Sequence, residues 1–474
     1  MPEEAPGQAV YPDVLKTVFD AFAGGSYQAY LIGPRARDLA TGHPIADAGS
    51  FDLTVDTSMA VIEGTFYELF GVNPQEGKED RPRIVTMKVP RPGNPAGPVT
   101  FNVGPFRNYL PPLRSLRGQN LTGIILDLAT REVTVQAFGY DGGGNLIDPF
   151  GGTQDLVEKL VRPVFPVDTI FRESASWLLK MARYVARYGF DAAREVRIAA
   201  ERDSSNILDA PRDIWYKEME KVLCGAFPSK GMQFLADSRV LSFMLPEVAA
   251  LISFSDTAGG QHKDVWQHTK QVVQNADASS VVRWAALCHD IGKVWTRQVF
   301  RDEKIHFFRH EDMSALLFEG ISARFQIPAE DAGRIHYIIK NHSRINLYRE
   351  DWTDSAVRRL IKEVGEYLDD LIAFSRADLT SKRTERVEMV RSLLTDLQIR
   401  ILEIREADAQ TSPLPKGIGN AIMTRFGIPA GPEVGRLRDR LLAAVEADTL
   451  PPNAEESVYL DWLASRIGNT DGDE

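Results

Sequence analysis

The hydrophobic pattern of this 474-residue chain changes once, near Asp168, and this change constrains the fold more than any other feature. Before it, short runs rich in β-branched and aromatic residues alternate with Gly- and Pro-containing turns, as in QAYLIG, FDLTVD, RIVTMKV, PVTFNV and EVTVQAFGY. After it, apolar residues recur with helical spacing, as in ASWLLKMARYVARYGF. The pattern predicts an α+β protein with an N-terminal α/β domain followed by helical domains.

Composition limits the cellular location and the partners that we expect for the protein. The net charge of −11 argues against broad coating of a nucleic acid and leaves room for a local basic patch. Two cysteines, Cys224 and Cys288, are too few for a disulfide framework, and the acidic N-terminus lacks a hydrophobic signal core. No apolar run is long enough to cross a membrane. We therefore expect a cytoplasmic protein without a membrane partner, with the oligomeric state left open and a homodimer as one option.

Seven of the eight histidines lie between His262 and His342, which favours a metal or proton-transfer site. Side chains one helical hairpin apart can converge inside a helical bundle, and the spacing here permits this. The candidate metal ligands are His268, His289, Asp290, His310, His342 and Asp378. Imidazole and carboxylate ligands suit Mn²⁺, Ni²⁺, Fe²⁺ or Zn²⁺ better than Mg²⁺. A metal-free set of core histidines is the alternative.

Three cations accompany these candidate ligands. Lys293 lies one turn after the His289–Asp290 doublet and is expected to contact a phosphate oxygen or to fix Asp290. Arg309 and Arg344 flank ligands and are candidate substrate-binding groups, with a solvated surface position as the alternative for each. His262 and His306 are expected to be surface or supporting residues.

A second candidate site involves Asp52 in the run FDLTVD. Nucleotidyl transfer with two metal ions needs carboxylates on alternate residues of one strand, because such residues share a face. Ser50 and Thr54 occupy the alternate positions around Asp52, and Asp56 lies beyond the expected strand end. On these residues alone, a structural strand is favoured over a metal site.

Several blocks resemble the class II tRNA nucleotidyltransferases, which include CCA-adding enzymes and bacterial poly(A) polymerases. The blocks are YLIGPRARDLATGHP, NLIDPFGGTQDL, LLKMARYVARYGF, HKDVWQHT, RWAALCHDIGKVWTR and FGIPAGPEVGRL. The resemblance implies a polymerase-β-like nucleotidyltransferase head (residues 1–155) and a helical neck (156–255), followed by an HD domain (256–400) and a helical tail (401–474). It also implies a nucleotide or RNA partner, with tRNA as one option.

The head departs from the family's pattern at several positions. Pro34 replaces a glycine, Ser50 and Asn102 replace carboxylates, and Ser174 and Trp177 replace a nucleotide-selecting acid and arginine. Proline has no N–H to offer to a triphosphate, and the loss of one metal-binding acid removes charge stabilisation in the transition state. We therefore interpret Asp52 as the remnant of a degenerate nucleotidyltransferase site.

The order H…HD…H…H…D resembles that of the HD-domain metallophosphohydrolases. This resemblance implies that His268, His289, Asp290 and Asp378 are core ligands, and that His310 and His342 complete a second cation site. Asp290 would bridge the two metals and, with Lys293, take part in catalysis.

These resemblances predict a divalent-metal-dependent phosphodiesterase or phosphatase that acts on nucleotides, 2′,3′-cyclic phosphates or RNA 3′ ends. Two alternatives remain open. One is an active tRNA nucleotidyltransferase, and the other is a non-catalytic RNA-binding protein.

Overall fold

The computed structural model describes residues 9–74, 84–91, 97–110, 113, 121–257, 264–299, 305–380, 384–410, 413–447 and 449–467. The strands are β1 Ala29–Ile32, β2 Gly49–Val55, β3 Val85–Val89, β4 Val99–Pro105, β5 Gly139–Asp141, β6 Leu146–Ile147, β7 Leu160–Val161, β8 Asp191–Ala192, β9 Arg297–Val299 and β10 Ile305–Phe307. Within these residues, no helix is both long and apolar enough to pass through a lipid bilayer.

Helices account for most of the regular structure. In chain order they are α1 Asp13–Gly24, α2 Gly33–Ala40, α3 Met59–Phe70, α4 Gly123–Ala129, α5 Gly152–Glu158, α6 Val167–Glu173, α7 Ser176–Tyr188, α8 Arg194–Arg202, α9 Arg212–Leu223, α10 Pro228–Asp237, α11 Val240–Met244, α12 Pro246–Thr257, α13 Val265–Asn275, α14 Ser280–Cys288, α15 Lys293–Thr296, α16 His310–Phe325, α17 Ala329–Asn341, α18 Asp354–Val364, α19 Leu368–Ala377, α20 Thr384–Gln410, α21 Ile418–Phe426, α22 Pro432–Glu446 and α23 Glu456–Ile467.

The described residues form two compact units. The first comes from residues 1–345 and 369–382, and the second from 346–368 and 383–474. The first unit contains all the strands named above, and the second is helical. This architecture confirms the predicted α+β class with an N-terminal sheet. The boundaries of the four domains proposed from the sequence remain predictions.

The head is built on a six-stranded sheet of order β3-β4-β2-β1-β5-β6. Strands β2 and β4 are parallel, and the other neighbours are antiparallel. Alternate residues of β2 and β4 point to one face, where the rings of Phe51 and Phe101 pack 5.4 Å apart. Phe66 of α3 meets Phe101 edge-on at 5.3 Å. The helix therefore covers this face, while Asp52 points to the other.

The run EVTVQAFGY was predicted to be one strand, and that prediction is wrong. Thr134–Gln136 forms a 3₁₀ turn, and β5 begins only at Gly139. The Thr134 backbone N–H donates to the Arg162 carbonyl and its hydroxyl donates to Asp155 at 2.6 Å. These contacts keep the segment out of the sheet.

The second unit has its own apolar core. Tyr459 of α23 is fully buried, and its hydroxyl donates to the Pro451 carbonyl at 2.6 Å and accepts from the Ala454 N–H at 3.0 Å. Around it pack Leu414, Ile418, Ile422, Leu437, Leu441 and Leu463. The paired hydroxyl lets a tyrosine occupy a core position without an unmet polar group.

Glu132 links the head to helix α7. Its carboxylate accepts from the Lys180 ammonium, the Arg183 guanidinium and the Tyr184 hydroxyl at 2.6, 2.6 and 2.5 Å. Burial acts to raise the pKa of Glu132, but these three partners outweigh it, and the pKa lies below its ordinary value. The ionised carboxylate therefore stabilises the folded state.

We expect Glu132→Gln to lower the free energy of unfolding at pH 7 by about 1–3 kcal/mol, the usual scale for a hydrogen bond to a charged group. Because the folded-state pKa is depressed, this stabilisation is present above the unfolded pKa and is lost as the pH falls through the folded one. The difference in the free energy of unfolding between wild type and variant should therefore become smaller below about pH 4.5. Denaturant titrations from pH 7 to pH 3.5 measure it, with exposed Glu68→Gln as the control. A gap that is independent of pH would contradict the assignment.

Candidate metal centre and nucleotidyltransferase-type site

The ends of five helices bring the six predicted ligands together. His268 lies in α13, and His289 and Asp290 directly follow α14. His310 begins α16, while His342 and Asp378 directly follow α17 and α19. We call these six residues the histidine–aspartate centre. Three of them, His289, Asp290 and His342, are 5% exposed or less.

Ligand atoms of the centre fall into two groups. One contains His268, His289 and Asp378, the other Asp290, His310 and His342, and the atoms of each group lie within 4.8 Å of one another. Asp290 faces both groups, since its Oδ2 lies 3.2 Å from His289 Nε2 and its Oδ1 lies 3.5 Å from His310 Nε2. This arrangement is compatible with a carboxylate that bridges two cations.

Local backbone carbonyls orient three of the imidazoles. The Nδ1 atoms of His289, His310 and His342 lie 2.8, 3.0 and 2.7 Å from the carbonyl oxygen three residues earlier. An oxygen at this distance selects the tautomer with a proton on Nδ1, which leaves Nε2 with a lone pair for a metal. The last turn of a helix has carbonyls without helical partners, so a histidine directly after α14 or α17 can use one.

Burial lowers the pKa of His268, His310 and His342 and so favours their neutral imidazoles, whereas the pKa of His289 is raised because Asp290 outweighs the effect of burial. The pKa values of Asp290 and Asp378 lie below the ordinary value, which favours ionised carboxylates. Burial lowers the pKa of His342 to about 4, helped by the neighbouring His289. Burial alone would raise the pKa of Asp290, but His289 and Lys293 outweigh it and hold that pKa well below its ordinary value. Neutral imidazole and carboxylate are the forms that bind a metal.

Two buried oxygens in the centre lack a hydrogen-bond partner, Asp290 Oδ1 and Asp378 Oδ1. A buried carboxylate oxygen without a partner is costly, and a cation is the natural counter-group. His268 Nε2 lies 3.1 Å from Asp378 Oδ1, and His289 Nε2 lies 3.3 Å from His268 Nε2. The donor set therefore fits divalent metal ions.

The predicted cations occupy different positions. Lys293 Nζ donates to Asp290 Oδ2 at 2.6 Å, and its role in fixing Asp290 or binding phosphate stays a prediction. Arg309 is largely exposed and pairs with Asp312 at 2.8 Å. A role for Arg309 or Arg344 in substrate binding remains a prediction.

Among the other histidines, His336 lies outside the centre and pairs with Glu319 at 3.4 Å, and His306 is exposed. His262, Lys382 and Arg383 lie outside the described residues.

Two supporting residues were not anticipated. The Thr380 hydroxyl lies 2.8 Å from His268 Nδ1, and the Phe374 ring packs against His289 and His342. Thr380 is thus the hydrogen-bond partner of His268 Nδ1, the ring position at which the other three histidines meet a backbone carbonyl. No local sequence pattern indicates this contact, which joins residues 112 positions apart.

In the head, Asp52 has a partner from the neighbouring strand. The parallel register of β2 and β4 pairs Asp52 with Asn102, and the Asn102 amide donates to Asp52 Oδ1 at 2.8 Å. The Thr86 hydroxyl donates to Asn102 Oδ1 at 3.0 Å and fixes the amide orientation. Gly33 has a φ of +73°, and a Cβ there would lie 2.5 Å from Asp52 Oδ2. Glycine thus keeps the second carboxylate oxygen accessible, and one carboxylate plus one amide can hold a divalent cation.

Helix α7 turns a polar stripe toward the head. Lys180, Arg183 and Arg187 recur at helical spacing, and the Tyr188 ring lies 5.5 Å from the guanidinium carbons of both Arg37 and Arg187. Trp177 is buried and meets Phe165 edge-on at 5.3 Å, so it is a packing residue. The sequence analysis missed this stripe, although the spacing of its cations is visible in the sequence.

We expect the purified protein to contain about two divalent transition-metal ions per chain, one for each ligand group. His289→Ala combined with Asp290→Ala should remove most of this metal, because each group loses a ligand. Elemental analysis by mass spectrometry measures the content. His336→Ala is the matched control, since this histidine lies outside the centre. Equal metal content in the double variant and the control would contradict the assignment.

Two parts of the chain match known families. Residues 29–162 match the Poly A polymerase head domain, and residues 263–378 match the HD domain. The chain is 30% identical over 319 residues to the "Multifunctional CCA protein" of Pseudomonas paraeruginosa, covering 64% of this chain and 71% of that protein. It is 26% identical to the "A-adding tRNA nucleotidyltransferase" of Deinococcus radiodurans, with 91% of each chain covered. The Bacillus stearothermophilus CCA-adding enzyme in complex with CTP has a similar fold, with a TM-score of 0.51, 20% identity and 97% and 98% coverage.

These relatives correct the predicted function. The predictions that the chain is principally a phosphodiesterase or phosphatase, and that its nucleotidyltransferase activity is doubtful, are wrong, because the relatives that span it carry the names of nucleotide-adding enzymes. The error came from counting lost side chains one by one, without the hydrogen bond that Asn102 donates to Asp52. The resemblance drawn from the sequence is confirmed: the chain belongs to the tRNA nucleotidyltransferase family of CCA-adding enzymes.

Proposed function

We propose that this protein adds nucleotides to the 3′ end of tRNA. The relatives named for this activity support the proposal, and one observation in the molecule carries it. Asp52 is retained at the centre of the head sheet and is hydrogen-bonded to Asn102. Gly33 has no side chain that would clash with its carboxylate. A carboxylate at this point of the sheet is what a cation-dependent phosphoryl transfer needs.

The Asp52–Asn102 pair would hold the divalent cation of the head. Asp52 Oδ2 and the remaining lone pair of Asn102 Oδ1 are the available donors, since the other contacts of both groups are already made. When bound, such a cation neutralises phosphate charge and orients the transferred group. Pro34 offers no N–H at the start of α2, so the backbone contribution to the triphosphate falls to later residues of that helix.

The stripe on α7 would bind the nucleotide and the RNA end. Lys180 and Arg183 are held in place by Glu132, while Arg187 and Arg37 flank Tyr188. Cations held in place beside an aromatic ring can bind the phosphate of a nucleotide while its base stacks on the ring. Since Trp177 is buried, it does not read a base through hydrogen bonds. Selection between CTP and ATP therefore falls to other residues.

We further infer that the histidine–aspartate centre holds two divalent ions as a resident metal site. Its mixed imidazole and carboxylate donors suit Mn²⁺, Ni²⁺, Fe²⁺ or Zn²⁺ better than Mg²⁺. The head, with oxygen donors only, suits Mg²⁺. One chain would then carry two cation sites of different preference.

The test is incorporation of α-labelled CTP or ATP into tRNA transcripts that lack one, two or three residues of the terminal CCA. We expect incorporation by the wild type and a loss of at least about 100-fold for Asp52→Asn, because several kcal/mol of metal-dependent stabilisation disappear. Asn is isosteric, so packing against Asn102 is kept. Glu68→Gln, an exposed change on α3, is the control. The proposal fails if no transcript is extended, or if Asp52→Asn extends it as well as the wild type.

A second variant tests the role of the amide. Asn102→Asp places two carboxylates side by side, 2.8 Å apart at the donor–acceptor pair that it replaces. The added charge should tighten cation binding and lower the Mg²⁺ concentration needed for half-maximal incorporation. A titration with Mg²⁺ measures this shift. A Mg²⁺ requirement that stays the same or rises would show that Asn102 is not a ligand.

A further inference from the structure

The head contains an arginine side chain that pairs with no carboxylate, that of Arg107. This residue lies two positions after the end of β4 and is half-buried, and its backbone N–H donates to Asp127 Oδ1 at 2.8 Å. Within the residues that the structure describes, its guanidinium makes no hydrogen bond and no ion pair. A guanidinium offers five N–H donors in a planar fork that matches a phosphate. Arg107 is therefore suited to bind an anionic ligand.

The two carboxylates that act on Arg107 electrostatically, those of Asp127 and Glu132, are already occupied. Asp127 Oδ1 accepts from the Thr54 hydroxyl at 3.2 Å, and Asp127 Oδ2 accepts from the Arg131 guanidinium at 2.6 Å. Glu132 accepts from the three side chains of α7 described above. Burial and the charge of Arg131 lower the pKa of Arg107 despite these carboxylates. Positive charge is therefore in excess at this point of the head.

The contacts of Asp127 place Arg107 beside the face of the sheet that carries Asp52. Thr54 lies two residues after Asp52 in β2, so the two side chains share a face and their Cα atoms are about 7 Å apart. Asp127 contacts Thr54 on this face and also holds the backbone of Arg107. Because Glu132, which is bonded to the stripe on α7, also acts on Arg107, the guanidinium borders both the Asp52 face and that stripe. The nucleotide is proposed to bind between these two features.

The surroundings of Asp52 provide ligands for one divalent cation and not for two. The residues that adjoin Asp52 on its face are Ser50 and Thr54 in β2, Ile32 in β1 and Asn102 in β4, and none of them is ionisable. Two divalent ions held side by side repel each other strongly, and a single carboxylate cannot balance their charge. Phosphoryl transfer nevertheless needs positive charge on the leaving side as well as on the transferred group.

We propose that the Arg107 guanidinium binds the β- and γ-phosphates of the nucleotide and supplies the charge that a second divalent cation would otherwise supply. This inference rests on the proposed nucleotide addition. In that reaction the 3′-hydroxyl oxygen of the tRNA forms a bond to the α-phosphorus, and the bond between this phosphorus and the bridging oxygen of the pyrophosphate breaks. Pyrophosphate leaves with the bonding electron pair, and the hydroxyl proton passes to water. Arg107 neutralises the charge that develops on the pyrophosphate.

Binding of inorganic triphosphate tests the phosphate contact without tRNA. Isothermal titration calorimetry of the full-length protein in the presence of Mg²⁺ measures the dissociation constant. We expect Arg107→Met to raise this constant at least about tenfold, the lower end of the scale for a hydrogen bond to a charged group. Arg197→Met is the control, since Arg197 is an exposed arginine of α8, and it should bind triphosphate as the wild type does. Equal binding by Arg107→Met and the wild type, or no binding by the wild type, would overturn the inference.

Chemical rescue separates a role in the reaction from a role in folding. We expect Arg107→Ala to lower kcat for incorporation of α-labelled nucleotide into tRNA at least about 100-fold, because arginine stabilisation of phosphoryl transfer is of this scale or larger. Free guanidinium ions at millimolar concentration should restore part of the lost kcat, whereas urea, a neutral molecule of the same shape, should not. An Arg107→Ala variant that retains the wild-type kcat, or that urea restores as well as guanidinium does, would overturn the inference.

A double variant tests whether Arg107 takes the place of a second cation. Combining Arg107→Ala with Asn102→Asp adds a carboxylate beside Asp52, which permits a second ion to bind. We expect this double variant to regain part of the lost kcat and to show a steeper dependence on Mg²⁺ concentration than the wild type. A double variant no faster than Arg107→Ala would contradict the exchange of roles.

The two proposals fail in different ways. If the wild type extends no tRNA transcript, the proposed nucleotide addition is wrong, whatever the calorimetry shows. If the wild type extends transcripts while Arg107→Met binds triphosphate as well as the wild type does, only the role of Arg107 is wrong.

Discussion

The buried carboxylate of Asp290 is the constraint around which the helical part of the first unit is organised. It is 1% exposed, and a carboxylate removed from water needs compensating charge and hydrogen bonds. Lys293 satisfies one oxygen from a single turn away, while the other lacks a hydrogen-bond partner and faces His310. The ends of α14, α16 and α17 converge on this group because each carries a histidine that faces it. A divalent cation, if bound there, would supply positive charge to the carboxylate oxygen that lacks a partner.

Helix ends suit this purpose better than helix interiors. An interior histidine has its neighbouring carbonyls occupied by helical hydrogen bonds, whereas one after the last turn finds a carbonyl at hand. His289 and His342 use Ala286 and Ile339 in this way. His268, which lies inside α13, needs the side chain of Thr380 instead. The imidazole rings of the centre are therefore oriented in two ways, by a backbone carbonyl after a helix end and by a side-chain hydroxyl inside a helix.

Much of the centre could be predicted from the sequence, and less of the head. The order and spacing of the histidines and aspartates was enough to select the six residues that the fold brings together, although their role as ligands stays a prediction. Thr380 was missed because its contact spans 112 residues of chain and no local pattern reports it. In the head, Asn102 was interpreted only as the replacement of a carboxylate. The parallel register of β2 and β4 shows that it lies beside Asp52. Asp52 and Asn102 are 50 residues apart in the chain, so their contact is visible only in the folded structure. For this reason the function inferred from each position separately was wrong.

The course of the chain through its two units has a consequence for dissecting the protein. The chain leaves the first unit after residue 345, contributes residues 346–368 to the second, and returns as residues 369–382, which carry Asp378 and Thr380. A fragment cut at the first exit would lack both the last candidate ligand and the hydroxyl that orients His268. The smallest piece that keeps the centre whole must carry a portion of the second unit with it. The six candidate ligands can therefore come together only after the chain has been synthesised through residues 346–368 and on to residues 369–382.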